Sequence, residues 1–239
     1  MEVLSQNKIK LIRSLRLKKN RDAEHLFVIE GEKIVRELIA QHPDSVEFVC
    51  LTNDMAVDTS LTCYTTDTAT LKSLSTLSTP STMLAVVRKP DFNITGGGTT
   101  LILDEIQDPG NLGTIIRTAD WFGIDSIVCS KNTADAYSAK VAQSSMGSIF
   151  RVPLIYTDLV AFIEQLDVPV FGALLNGKSI YSTQFPPSCA IVMGNEGKGI
   201  SQQVQSKIDY AITVPSFGGA ESLNVAIATG IFLSELRRS

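Results

Sequence analysis

From residue 100 onwards, short apolar runs alternate with segments that have helical periodicity. Because each run is apolar along its whole length, both faces of each predicted strand are expected to be buried. Strands of this kind, separated by helices, are typical of a mainly parallel sheet covered by helices on both faces. We therefore predict an α/β fold here, with strands in TLILDEI, SIVCS, VPLIY, PVFGALL, CAIVMG and YAITVP.

A smaller α/β region is predicted before this sheet. FVIEGEKIVRELIA predicts a strand, a glycine turn and a helix, while VEFVCL and MLAVVRKP predict two further strands. Residues 52–82 are rich in serine and threonine and are predicted to form surface turns and short helices. KPDFNITGGGTT is the best linker candidate, which places the boundary near Ile94. The predicted domains are residues 1–93 and 94–239.

Composition limits the possible function classes. A chain with 44% hydrophobic and 19% charged residues is typical of a globular protein. No apolar run is long enough to cross a bilayer and no secretory signal opens the sequence, so we predict a cytoplasmic protein without a membrane partner. Two histidines and four scattered cysteines favour neither a metal site nor a disulfide framework. We predict no bound metal, and reduced, mostly buried cysteines.

The charge is unevenly distributed. The first 21 residues carry one acid, Glu2, and a net charge of +6, which leaves −10 for the rest of a chain whose net charge is −4. The basic residues of this segment are Lys8, Lys10, Arg13, Arg16, Lys18, Lys19 and Arg21. Isoleucines and leucines recur between them at helical spacing, which leaves the basic groups on the outward side. A solvated helix face and a surface that contacts phosphate both remain open as interpretations.

Three loops that follow predicted strands combine glycine with polar or charged residues. They are QDPGNLG, NEGKGIS and SFGGAES, and ligands of open α/β sheets bind beyond the carboxyl ends of strands. Asn111 is predicted to cap a helix and Ser222 to begin the last one, roles that need no ligand. Together the loops favour a nucleotide-like ligand. Neither a Rossmann fingerprint nor a P-loop is present in the sequence.

Three motifs in order resemble those of the SpoU (TrmH-like) RNA ribose 2′-O-methyltransferases of the SPOUT superfamily. They are DPGNLGTIIRTADWFGID, VMGNEGKGIS and VPSFGGAESLNVAIATGIFLSELRR. The resemblance covers Leu101 to Arg238, and the preceding NKIKLIRSLRLKKNRDAEHLFVIEGEKIVREL resembles the small substrate-binding domain of many members. It implies a deep trefoil knot in the sheet domain. Knots are otherwise nearly absent from proteins. It also implies S-adenosylmethionine as cofactor and a homodimer formed through the C-terminal domain.

The resemblance implies roles for particular residues. Arg117 corresponds to the family's proposed catalytic arginine; because arginine is normally protonated, a base and a positioning role both stay open. The other catalytic candidates are Asn111, Glu196, Ser222 and Asn224. For Glu196 and Asn224, loop-ordering hydrogen bonds without direct chemistry are an alternative. The cofactor candidates are Gly194, Val214, Leu223 and Asn176, and the RNA-contact candidates are Lys8, Lys10, Lys18, Lys19 and Arg21.

The same resemblance implies RNA, and not DNA, as the macromolecular partner. The extra N-terminal domain is more typical of members that act on large-subunit ribosomal RNA than of transfer RNA enzymes, which stay an alternative. A non-catalytic RNA-binding or ribosome-assembly factor that retains the knot is a second alternative. The joint presence of the five catalytic candidates argues against it, because a pure binder has no chemical need for that set.

Overall fold

The structure is a computed structural model that describes residues 2–57, 59–77, 79–94 and 98–238; residues 95–97 of the predicted linker lie outside the described residues. The elements up to residue 94 are β1 (Glu2–Val3), α1 (Gln6–Ser14), α2 (Lys18–Glu24), β2 (Leu26–Glu30), α3 (Glu32–Gln41), β3 (Val46–Thr52), β4 (Cys63–Thr66), α4 (Thr68–Leu74) and β5 (Met83–Arg88). The later elements are β6 (Thr100–Leu103), α5 (Pro109–Trp121), β7 (Ser126–Ser130), α6 (Ala139–Ser144), β8 (Leu154–Thr157), α7 (Leu159–Ile163), β9 (Val170–Ser179), β10 (Ala190–Met193), α8 (Gln202–Gln205), β11 (Tyr210–Thr213) and α9 (Val225–Arg238). Short 3-10 helices lie at Pro43–Ser45, Ser148–Phe150 and Ile180–Ser182.

The chain divides into two compact units. The first contains the chain up to Asp91 together with Asp135–Phe150, and the second contains Phe92–Ala134 and the chain from Arg151 onwards. Helix α6 therefore belongs to the first unit, although it lies between two strands of the second unit in sequence. Local periodicity predicts a helix at this place but does not indicate which sheet it packs on.

The sheet of the first unit is mixed. Within the described ranges its strand order is β1-β4-β3-β5-β2; β4 runs parallel to β1 and β3, and β5 runs antiparallel to β3 and β2. Strand β4 lies in the segment predicted to form only turns and short helices, so that prediction was wrong there. Its sequence, CYTT, lacks an alternating apolar pattern, and pairing with β3 supplies the order that the local sequence does not predict.

Two clusters of packed side chains stabilise the first unit. Helices α1 and α4 contribute Ile9, Ile12, Leu71 and Leu74 to a core with Phe48 of β3. Burying a large apolar side chain of this kind contributes about 1.5–3 kcal/mol each. Another cluster is aromatic: the ring of Phe27 lies 5.1 Å from that of Tyr137 and 5.7 Å from that of Phe150, measured between centroids. These contacts attach residues 135–150 to β2.

The sheet of the second unit confirms the predicted parallel α/β fold. Its order among the described residues is β11-β9-β10-β6-β7-β8, and every neighbouring pair is parallel. Strands β6 and β10 are buried at every position. As the continuous apolar runs indicated, helices therefore have to cover both faces of this sheet.

Helices α5 and α9 pack against each other in the second unit. The side chain of Asp108 accepts a hydrogen bond from the Asn111 N–H at 2.8 Å and caps α5, which begins at Pro109. The predicted cap at Asn111 was therefore wrong, because Asn111 already lies in the first turn. Arg237 of α9 donates to the carbonyls of Phe122 and Gly123 at the other end of α5. No helix in the described part of the chain is long and apolar enough to span a membrane.

Candidate active site

The sheet of the second unit has a point at which the strand order reverses. Strand β6 lies between β7 and β10; β8 lies beyond β7, while β9 and β11 lie beyond β10. Ligands of open α/β sheets bind outside the carboxyl ends of strands at such a point. The loops after β6 and β10 start side by side here, and the Asp104 N–H donates to the Met193 carbonyl at 2.9 Å.

Three predicted site residues, one from each of the three motifs, are joined by hydrogen bonds. Asn111 Nδ2 donates to Glu196 Oε1 at 2.7 Å, and Asn224 Nδ2 donates to Asn111 Oδ1 at 3.0 Å. The bond to the carboxylate is charge-assisted and therefore stronger than a bond between two neutral groups. Asn111 is half-buried and the other two residues are exposed, so a ligand can reach this triad of Asn111, Glu196 and Asn224.

Asn224 also determines where the terminal helix begins. Its Oδ1 accepts from the N–H groups of Ala226 at 3.0 Å and Ile227 at 3.3 Å, so Asn224 caps α9. The predicted helix start at Ser222 was wrong, because Ser222 lies in the exposed loop before the cap. Asn224 thus uses its side-chain oxygen for the helix and its nitrogen for Asn111.

Arg117 lies on the exposed side of α5 and outside the triad. Within the described ranges, its guanidinium makes no hydrogen bond or ion pair with the chain. A guanidinium in this position keeps its planar set of five N–H donors for a phosphate or a hydroxyl. The side chain of Ser222 is likewise exposed and has no hydrogen bond to the described residues.

The loop after β10 depends on a glycine and an asparagine. A Cβ at Gly194 would lie 2.3 Å from the backbone of Gly199 and Ile200, so only glycine fits there. Asn195, which sequence reasoning missed, accepts from the N–H groups of Gly197 and Lys198 at 2.9 and 3.0 Å. Its Nδ2 donates to the Glu105 carbonyl at 2.8 Å. The signal that could have identified it is an asparagine followed closely by glycine, which favours such a turn.

A second missed residue is Asp104, directly after β6. Its side chain is buried, and Oδ2 accepts from the Ser201 N–H at 2.8 Å. This bond joins the loop after β6 to the start of α8 and satisfies a carboxylate that would otherwise be costly to bury. An acidic residue at the end of an apolar strand was the available signal.

The loop from Val214 to Leu223 has unused backbone hydrogen-bonding groups. In the described structure, its N–H and C=O groups make no backbone–backbone hydrogen bond. A Cβ built on Gly218 or Gly219 would meet no atom within 4 Å, so the space above both is open. Phe217 is 93% exposed and Leu223 is 47% exposed. The carbonyls of Val214 and Gly218 accept from Thr213 Oγ1 at 3.4 Å and Ser216 Oγ at 3.2 Å. The remaining peptide groups, beside apolar side chains, suit a ligand that has both polar and aromatic parts.

Asn176 lies in the irregular part of β9. Gly172 pairs with Ala211 and Lys178 pairs with Ile212, so the register between β9 and β11 shifts across the intervening residues. Asn176 is exposed within this shift. The structure does not include it in the triad, and its proposed contact with the cofactor rests on the family resemblance.

The basic residues predicted to contact RNA lie in the first unit and differ in their surroundings. Lys10 and Lys19 are exposed, and Lys8 Nζ lies 4.3 Å from the ring centroid of Phe48. Lys18 pairs with Asp22 at 2.6 Å. Hydrogen bonds from Lys18 and from Lys89 lower the pKa of Asp22 to about 2.

The expectation for Arg21 has to be corrected. Arg21 is buried and forms an ion pair with Asp135, with an Nη2–Oδ2 distance of 2.5 Å. Its Nη1 donates to the carbonyls of Leu15 and Arg16 at 2.7 and 2.8 Å. These contacts occupy the guanidinium inside the first unit, so the structure does not present it to phosphate.

Three of the four cysteines are poorly suited to act as nucleophiles. All four are free thiols, and Cys50, Cys129 and Cys189 are buried. Burial raises the pKa of Cys50 to about 12 and that of Cys189 to about 11, and it raises the pKa of Cys129 as well. The thiolate is the reactive form, so these three residues are inert at neutral pH. Among the described residues, no cluster of histidine, cysteine and carboxylate side chains is arranged to hold a metal ion.

Comparison with known proteins identifies both parts of the chain. Residues 98–234 match the SpoU rRNA Methylase family, and residues 6–85 match the MRM3-like substrate binding domain. The chain is 34% identical to the 23S rRNA (guanosine(2553)-2′-O)-methyltransferase RlmP of Bacillus subtilis, with 99% of this chain and 98% of that protein covered.

Two solved structures have the same fold over almost the full length. One, from Porphyromonas gingivalis and described as an RNA methyltransferase of the TrmH family, has a TM-score of 0.89 and 38% identity, and the match covers 99% of this chain and 100% of the other. The other, an rRNA methyltransferase from Sinorhizobium meliloti with AdoMet bound, has a TM-score of 0.86 and 28% identity, with 100% and 97% covered. The resemblance seen in the three motifs is confirmed, and the chain belongs to the SpoU rRNA methylase family.

Proposed function

We propose that this protein transfers a methyl group from S-adenosylmethionine to a ribose 2′-hydroxyl of large-subunit ribosomal RNA. The observation that carries the proposal is the end-to-end match to the Bacillus subtilis 23S rRNA methyltransferase, at 34% identity. The geometry supports it, because the triad of Asn111, Glu196 and Asn224 joins the three motifs near the switch point of the sheet.

The residues present fit the cofactor. The unused peptide groups between Val214 and Leu223, together with the open space above Gly218 and Gly219, can accommodate a ligand held mainly by backbone groups. Gly194, Val214, Leu223 and Asn176 are the residues that would hold it. When bound, S-adenosylmethionine supplies a methyl group already activated by its sulfonium, so the protein has mainly to align an incoming oxygen and manage its proton.

Arg117 is assigned to the RNA side of this reaction. Its donors have no partner in the described parts of the chain, and a protonated guanidinium can bind a phosphate next to the target ribose and polarise the hydroxyl. A role as base would require a strongly perturbed arginine. Glu196 and Asn224 hold Asn111 and order the loops, and Ser222 orients the nucleotide.

Binding of the RNA is assigned to the N-terminal domain, residues 1–93. Its match to the MRM3-like substrate binding domain supports this role, as do the exposed Lys10 and Lys19. Lys8 and Lys18 complete the proposed phosphate-contacting set. Residues 94–239 form the proposed methyltransferase domain in sequence, although residues 135–150 pack with the first unit.

The trefoil knot and the homodimer are also proposed for this chain. Family membership supports the knot. The dimer is supported by the exposure of large apolar side chains on α5 and α9: Trp121 is 85% exposed and Ile227 is 58% exposed in the single chain. Large aromatic side chains such as that of Trp121 are enriched in protein–protein interfaces. Retention of full activity at dilutions where only monomer is present would contradict the dimer.

The test is transfer of radiolabelled methyl from S-adenosylmethionine to total RNA that lacks this protein's modification. The RNA species are then separated and digested to nucleosides. We expect label in a 2′-O-methylnucleoside of large-subunit RNA. Label in transfer RNA would change the substrate class, and cofactor binding without transfer to naked RNA or ribosomal particles would favour a non-catalytic assembly factor.

A further inference from the structure

Glu105 has an unusual backbone at the edge of the candidate site. Its φ is +57°, in the left-handed region that residues other than glycine, asparagine and aspartate rarely adopt. It lies between β6 and α5, two residues after the strand ends. Backbone outliers of this kind persist only where surrounding contacts hold them, and they cluster at functional sites.

Three hydrogen bonds from two neighbouring loops hold Glu105. Its N–H donates to Ser130 Oγ at 2.9 Å, and its Oε1 accepts from Asn132 Nδ2 at 2.8 Å. Its carbonyl accepts from Asn195 Nδ2 at 2.8 Å. Ser130 and Asn132 belong to the end of β7 and its loop, and Asn195 belongs to the loop after β10. Glu105 is therefore the point at which the loops after β6, β7 and β10 meet.

These contacts bear directly on the triad. Glu105 lies in the segment that leads from β6 into α5, the helix that carries Asn111 and Arg117. On the other side, Asn195 immediately precedes Glu196, the carboxylate that Asn111 binds. A change in the Glu105 peptide would therefore move both partners of the Asn111–Glu196 bond.

We propose that Glu105 is a positioning residue for methyl transfer, and that the Asn132–Glu105 hydrogen bond holds it in place. This inference rests on the proposed function, because it concerns the alignment of the same site. Glu105 and Asn132 contact neither Arg117 nor the triad through their side chains in the described structure. Their effect is exerted through the backbone at the start of α5 and the loop after β10.

Four single variants separate the side-chain bond from the backbone conformation. Glu105→Gln keeps the Oε1 acceptor, Glu105→Ala and Asn132→Ala remove the bond, and Glu105→Gly removes it while relieving the left-handed backbone. We expect both alanine variants to lower kcat about ten- to a hundredfold with little change in the Kd for S-adenosylmethionine. A misplacement of catalytic groups by about 1 Å can lower the rate about a hundredfold. Glu105→Gln should retain the rate.

The glycine variant distinguishes positioning from stability. Glu105→Gly should have a melting temperature no lower than that of Glu105→Ala, yet its kcat should still be low. The double variant with Glu105→Ala and Asn132→Ala should have a kcat no lower than that of either single variant. Glu164→Ala, which removes an ion pair with Lys207 in the same unit, is the matched control and should leave the rate unchanged. Recovery of the rate in Glu105→Gly, or a normal rate in Asn132→Ala, would overturn the inference.

Amide hydrogen exchange gives a readout that does not depend on activity. Glu105→Ala should exchange faster than the wild type at residues 109–113 and 195–199, and Glu105→Gln should not. If the wild type methylates no RNA, the proposed function fails while this comparison still tests the positioning. Unchanged exchange in Glu105→Ala would refute the inference even if the wild-type protein is an active methyltransferase.

Discussion

Arg21 and Arg117 have the same side chain in opposite surroundings. Arg21 is buried and donates to Asp135 and to two backbone carbonyls, whereas Arg117 is exposed and has no partner within the described ranges. Removing the partners of a buried guanidinium would lower the stability of the fold by several kcal/mol. The partners of Arg21 therefore keep its guanidinium in the interior of the first unit. Arg117 makes no such contact with the described residues, so its N–H donors remain available to a substrate.

Replacing Arg117 tests this assignment. Arg117→Ala should lower single-turnover methyl transfer by about a hundredfold or more, because it removes the donors proposed to bind the phosphate and polarise the 2′-hydroxyl. The Kd for S-adenosylmethionine, measured by calorimetry, should change little. Arg117→Lys should recover only part of the rate, because lysine keeps the charge and loses the planar fork. Arg238→Ala, at an exposed arginine paired with Glu235, is the control, and a parallel loss of cofactor affinity in Arg117→Ala would contradict the assignment.

At the scale of elements, helix α5 contains residues that stabilise the fold and residues that belong to the candidate site. Asp108 caps its first turn, while Arg237 of α9 donates to carbonyls just past its last turn. Unsatisfied N–H and C=O groups at helix ends need such partners. Asn111 lies in the same first turn, but its side chain contacts Glu196 and Asn224. Stability and alignment therefore depend on different residues three positions apart.

Asp108→Ala and Asn111→Ala should separate these two contributions. Asp108→Ala removes the cap and should lower the free energy of unfolding, measured with urea, by about 1 kcal/mol. Asn111→Ala keeps its capped N–H and should cost less stability, yet it breaks both bonds of the triad and should slow methyl transfer more. Asp108→Asn is the control, because asparagine also caps well. The reverse ranking, with Asn111→Ala active but the less stable variant, would refute this division.

At the scale of the whole molecule, charge is segregated along the chain. The first 21 residues carry +6 in a protein of net charge −4. The structure divides these basic groups into exposed lysines, such as Lys10 and Lys19, and the buried Arg21. Only the exposed groups can release counterions from RNA on binding, so the net charge alone is a poor guide to the partner.

The salt dependence of RNA binding measures this difference. Neutralising Lys10 and Lys19 together, as Lys10→Gln and Lys19→Gln, should reduce the slope of log K against log salt by about 0.7–0.9 for each phosphate that the variant no longer neutralises. Arg21→Gln should leave the slope unchanged and lower the melting temperature. Lys207→Gln, in the second unit and paired with Glu164, is the matched control. An unchanged slope in the double lysine variant would make that surface a solvated helix face.

The sequence by itself determined the parallel α/β architecture, the family and the segments that carry the candidate site. Apolar runs and helical periodicity are local, and motifs such as the one containing Asn111 are read directly along the chain. Only the tertiary structure decided that residues 135–150 pack with the first unit, that Asp135 receives Arg21, and that Asn111 contacts Glu196 and Asn224. These contacts join positions 85 to 114 residues apart, and their partners meet only after the elements have packed. Local pattern does not indicate such distant pairings, which is why candidate site residues could be named in advance but their contacts could not.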